Sequence, residues 1–144
     1  MLEILLVFWA FLFKKKPREI KKIPSGFYID FDAGYYDLDN VSVDLYHPEG
    51  KNRFVTGEEL VKQVNGKKLL GQKSLDDYME WPDMIPDSFK FKTILFMGTR
   101  YKDKENKTFV PCFYYHALRG LWVESFVCLS EAISIKHNCV PVVV

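Results

Sequence analysis

The chain holds 144 residues, 48% apolar and 27% charged, enough for one ordinary core and too mixed for intrinsic disorder or a multi-pass membrane protein. Lys and Arg number 20 against 19 Asp and Glu, a formal charge of +1 that lacks the basic excess of a free-standing nucleic-acid binder. Three cysteines form an odd, sparse set, which argues against a secreted disulfide scaffold and for reduced thiols in the cytoplasm.

The first element is a block of ten apolar residues, Ile4 to Phe13, followed by Lys14-Lys15-Lys16-Pro17. It is not a secretory signal, because Glu3 stands where a positive region belongs and no small-residue cleavage site precedes the lysines. As a helix it would rise only about 20 Å, against roughly 30 Å of hydrocarbon. Leu5, Phe8, Trp9 and Leu12 with the clamp Lys14, Lys15 and Lys16 therefore suit an anchor that lies on or dips into a membrane, or that packs on an assembly partner. Burial in the chain's own core is the alternative. The lysines on the C-terminal side of the block would leave the folded domain in the cytoplasm. Residues 1–22 are read as hydrophobic segment and basic arm, and 23–144 as a single domain.

Charge is segregated along the chain: residues 1–26 carry +4, 27–50 carry −6 with no Lys or Arg, and 51–144 carry +3. Pro24-Ser25-Gly26 punctuates the entry to the domain. Phe27 to Asp32 alternates as a half-buried strand with Phe27, Ile29 and Phe31 inward, which puts Asp30 and Asp32 on one outer face. Ala33-Gly34 turns the chain, and Val41 to Tyr46 alternates again before His47-Pro48. Thr56-Gly57-Glu58-Glu59 is a capping box opening a helix to Val64, stopped at Asn65-Gly66. Ser74 starts a second short helix ending near Trp81, with Leu75, Tyr78 and Met79 as its apolar stripe, and 82–88 reads as extended.

Phe89 to Met97 reads as a strand apolar on both faces, Lys102 to Asn106 as a charged hairpin tip, and Thr108 to His116 as a strand in which Pro111 marks an edge or bulge. Leu121 to Val127 completes a C-terminal three-strand antiparallel meander, and Ser130 caps a packing helix through Ala132, Ile133 and Lys136. The expected fold class is thus α+β, a mainly antiparallel sheet with two or three short helices.

Motifs for chemistry are thin. Asp30 to Asp39 offers calcium-like oxygens but fails the EF-hand pattern, with Tyr35 in the glycine position and Val41 in place of the bidentate glutamate. Cys112, His116, His137 and Cys139 suggest zinc, yet on a strand residues four apart lie about 13 Å from each other. A nucleophilic pair of Cys112 or Cys128 with His47, His116 or His137 has no distinguishing signal. No phosphate loop or nucleophile elbow is present. No catalytic residue, metal or cofactor is assigned.

These readings favour a non-enzymatic protein–protein interaction module, of accessory or inhibitor type, tethered to a membrane or an assembly. Asp30, Asp32, Tyr35, Tyr36, Asp37 and Asp39 are the candidate partner-binding residues, supported by the aromatics Trp81, Tyr114, Tyr115 and Trp122. The expected partner is another protein, with a membrane surface as a second contact and nucleic acid set aside. A small enzyme with an unmotifed Cys/His or carboxylate site and a structural component of a multi-protein particle are the alternatives.

Overall fold

A computed structural model describes residues 23–144. The hydrophobic segment and basic arm, with Leu5, Phe8, Trp9, Leu12, Lys14, Lys15 and Lys16, lie outside the described residues. Among the described residues no helix is long and apolar enough to cross a membrane.

The chain runs β1 (Tyr28–Asp32), β2 (Val43–Tyr46), β3 (Phe54–Thr56), α1 (Gly57–Val64), β4 (Lys68–Leu69), α2 (Gln72–Glu80), then two 3₁₀ turns, Pro82–Met84 and Asp87–Phe91. It continues through β5 (Thr93–Leu95), β6 (Thr99–Lys102), β7 (Thr108–His116), β8 (Leu121–Cys128), β9 (Ala132–Ser134) and β10 (Asn138–Val143). The fold is α+β, mostly sheet, with two α-helices among the described residues. One curled sheet runs β1-β6-β7-β5-β10-β2, with β8 on the far edge of β7 and β4 beside β10; β3 and β9 make a separate ribbon. Every pair is antiparallel except β5 with β10.

The sheet is covered on both faces. Leu60 and Val64 of α1 join Val55, Leu95, Val110, Cys112, Ile133 and Val140 in one apolar cluster. Leu75 and Tyr78 of α2 join Phe89, Ile94, Phe96, Phe113 and Cys139 in the other. Neighbours Ile94 and Leu95, like Cys112 and Phe113, point into opposite clusters, which is why β5 and the middle of β7 are apolar at consecutive positions.

Several expectations are corrected. In the C-terminal half β5 and β8 flank β7 antiparallel, and β6, which was not expected, shares β5's edge of β7. The strand expected from Phe89 begins only at Thr93, after the 3₁₀ turn Asp87–Phe91, and the segment 82–88 expected to be extended is so only at Ile85 and Pro86, between that turn and the turn Pro82–Met84. β7 is central, not an edge. The Phe96 N–H donates to the Pro111 carbonyl at 2.9 Å, so the proline nitrogen faces the same side, where the facing strand is interrupted between Leu95 and Thr99. A missing donor costs nothing at that break. The helix expected at Ser130 is strand β9, paired Phe54↔Ser134 to Thr56↔Ala132; Ile133 and Ile135 follow a period of two, and β3 supplies a partner. α2 starts at Gln72, two residues before Ser74, whose hydroxyl is buried without a hydrogen bond.

Candidate functional site

The acidic segment begins on β1, and its geometry turns on one irregularity. The β1–β6 register pairs Ile29 with Tyr101 and then Phe31 with Arg100, leaving Asp30 as a bulge. A bulge shifts the phase of every later side chain. Ile29 therefore shares a face with the buried Tyr101, whereas Phe31 turns to the opposite face and lies under the Arg100 guanidinium, 4.3 Å away. Asp32 takes the α2 side. The expectation that Asp30 and Asp32 share an outer face is corrected for this reason.

Neither carboxylate is idle. Asp30 pairs with Lys102 at 3.9 Å, and Asp32 with Lys73 at 3.6 Å. Asp32 Oδ1 also accepts from the Gly34 N–H and the Thr99 hydroxyl. Asp37 accepts from the Asp39 N–H and the Asn40 side-chain amide, a turn-forming pattern that explains its place in a loop. Asp39 is exposed, Tyr35 is exposed, and Tyr36 is half-buried against the α2-side cluster. The six residues thus lie on one strand and the loop after it, but part of their polarity serves the loop itself.

What stands open is the strand. β1 pairs only with β6 among the described residues, and all five of its residues are exposed. Tyr28, Ile29 and Phe31 are 52%, 39% and 39% accessible. Of the other aromatics, Trp81 and Tyr114 are exposed, while Trp122 is wedged between Phe113 and Tyr115 with centroids 4.7 and 5.2 Å away.

Sequence reasoning missed a polar network centred on Gln72, which is 2% exposed. Its Nε2 donates to Asp76 Oδ1 and Glu124 Oε1, both at 3.0 Å, and its Oε1 accepts from the Tyr101 hydroxyl at 2.9 Å. Carboxylates only accept, so the amide has a single orientation. Its backbone N–H donates to Thr99 Oγ1 at 2.9 Å. Burial, with the charges of Asp76, Asp32 and Glu124, raises the Tyr101 hydroxyl pKa. Burial and the charge of Asp76 raise that of Glu124, opposed by the bond from Gln72. Asp76, Glu80 and Glu124 border a cleft of about 790 Å³ together with Met79 and Phe126. Among the described residues no Cys or His lines this cleft.

One cysteine meets one histidine, outside the combinations named from the sequence. Cys112 is buried, and burial pushes its thiol up to about 11, with Glu124 adding. Cys139 is buried with its Sγ 3.2 Å from His47 Nδ1, a pairing not foreseen, and burial raises its pKa as well. A nucleophilic thiol requires the opposite shift. Among the described residues no group of three His, Cys, Asp or Glu could hold a metal ion.

No family model matches this chain, and neither a curated protein nor a solved structure matches it.

Proposed function

We propose that the chain is a non-enzymatic protein-binding module that recognises another protein along β1 and the loop Tyr35 to Asp39. The reading rests on one observation above all: among the described residues β1 pairs on one side only, with Tyr28, Ile29 and Phe31 all substantially exposed. An edge strand offers a row of backbone donors and acceptors, and natural sheets guard such edges with charge, proline or a cover. An apolar edge instead suits a partner that adds a strand and buries alternate side chains. Tyr35 and the exposed carboxylate of Asp39 flank that edge and favour a partner with a basic residue beside its strand. Leu5, Phe8, Trp9 and Leu12 with Lys14, Lys15 and Lys16 tether the module to a membrane surface or larger assembly, on the cytoplasmic side.

The test is affinity capture of the full chain in mild detergent, compared with the Tyr28→Lys/Ile29→Lys variant. A stoichiometric protein partner captured by the wild type and lost in the variant upholds the reading. Equal capture by both, or none by either, overturns it. Membrane flotation of the full chain against residues 23–144, which contain both apolar clusters, tests the tether; equal flotation would remove it.

A further inference from the structure

On the face opposite α2, α1 and the β6–β7 hairpin enclose a groove of about 510 Å³ whose lining includes Lys62, Arg100, Lys102, Lys107, Asp30 and Glu58. Arg100 is the unusual member. Its ring-facing side rests on Phe31, its Nε is buried without a hydrogen-bond partner, and no carboxylate lies within ion-pair distance of it among the described residues. Burial lowers its pKa while Asp30 acts to raise it. A guanidinium held this way keeps only its terminal nitrogens for recognition, in a fixed plane. The lysines are steadied by their own partners: Lys102 by Asp30 at 3.9 Å, Lys107 by Glu105 at 3.4 Å and Lys62 by Glu58 at 4.0 Å.

We propose that this groove binds a phosphate monoester, with Arg100 as the oriented donor and Lys102 and Lys107 as flanking charges. Four cations face two lining carboxylates and Glu105 beside Lys107; the one positive charge in excess is that of Arg100, the cation without a carboxylate partner among the described residues, and it favours the dianionic head of a phosphate monoester near neutral pH. Arginine suits planar, bidentate recognition of phosphate, and the lysines supply point charge beside it. Asp30 and Phe31 of β1 support the groove, but its cations lie on α1, β6 and the β6–β7 hairpin, and Tyr28→Lys/Ile29→Lys leaves all four in place, so the two readings are tested apart.

The experiment is calorimetric titration of the full chain with inorganic phosphate at constant ionic strength, with chloride as the control. Wild type should bind phosphate, Arg100→Gln should bind about tenfold more weakly, and Lys104→Gln, on the hairpin but outside the groove, should match wild type. Because Arg100 is stacked and partly buried, Lys102→Gln/Lys107→Gln provides a second variant on more accessible positions, with a similar loss expected. Phosphate no tighter than chloride, or wild-type binding in both groove variants, overturns the proposal. Co-sedimentation with phosphatidic acid vesicles against phosphatidylcholine vesicles identifies the source. A preference lost in the double variant assigns a lipid headgroup; phosphate binding without that preference assigns a soluble phosphate ester.

Discussion

Gln72 shows how much one buried side chain can hold. Its amide satisfies a tyrosine hydroxyl and two carboxylates at once, and its backbone N–H reaches a threonine on another strand. Gln72→Met keeps the volume but strips all three side-chain bonds, leaving the Tyr101 hydroxyl buried without its acceptor. Unmade buried hydrogen bonds cost more than made ones contribute, so the variant should lose about 2–4 kcal/mol in urea unfolding. Glu124 should behave in the opposite sense. Its pKa is raised in the folded chain, so its contribution is at its best below the unfolded carboxylate pKa and is lost as pH rises through the folded value. Glu124→Gln retains an acceptor for the Gln72 amide and removes the charge. It should match wild type near pH 4 and be more stable near pH 7. The gain should be only a few tenths of a kcal/mol, since solvent reaches Glu124 and screens its charge. Stability measured at both pH values checks this.

The two helices begin by different devices, and the difference explains what could be read from sequence. α1 is capped locally: the Glu59 N–H donates to the Thr56 hydroxyl at 3.1 Å, within four residues of chain, and the whole element is legible as Thr-Gly-Glu-Glu followed by an apolar stripe. α2 has Gly71 before it and takes its cap from Thr99, 27 residues away. Nothing near Gln72 announces that start, whereas Ser74 carries an ordinary capping side chain. A methyl added at Gly71 would collide with the Thr99 hydroxyl; Gly71→Ala should therefore cost about 1–3 kcal/mol through overpacking and a displaced cap. Thr56→Ala should cost about 1 kcal/mol. Thermal unfolding of the two variants ranks them. The same distinction covers the other elements. β7 and most of β8 were legible because their alternation and turns are local. The bulge at Asp30, the β3–β9 ribbon and the parallel β5–β10 pair depend on partners far along the chain. At Ala132–Ser134 the Ser130 capping signal competes with an Ile-Ser-Ile alternation, and pairing with β3 decides for strand. At the candidate site the acidic residues could be named from sequence, but the lysines that neutralise Asp30 and Asp32 could not.

At the scale of the molecule, the sheet divides the apolar interior into two clusters, and each contains one cysteine: Cys112 on the α1 side, Cys139 on the α2 side. Cys128 is half-buried near the end of β8, its Sγ 3.0 Å from the Ser130 hydroxyl. The three thiols therefore report separately on the end of β8 and on each of the two clusters. Cys128 should react with a soluble disulfide reagent in the native state. Cys112 and Cys139 should be slower by at least about a thousandfold, because attack requires unfolding of the element that covers them. Raised pKa values protect them further by removing thiolate. If the central strands make both clusters one cooperative unit, alkylation pulses analysed by mass spectrometry should give Cys112 and Cys139 the same opening free energy, falling in parallel as urea is added. β5 argues for that outcome, since its adjacent residues Ile94 and Leu95 anchor both clusters at once. Earlier labelling of Cys139 would mean that α2 and the 3₁₀ turns detach from the sheet while the α1 side stays closed, and the single-unit account would fail.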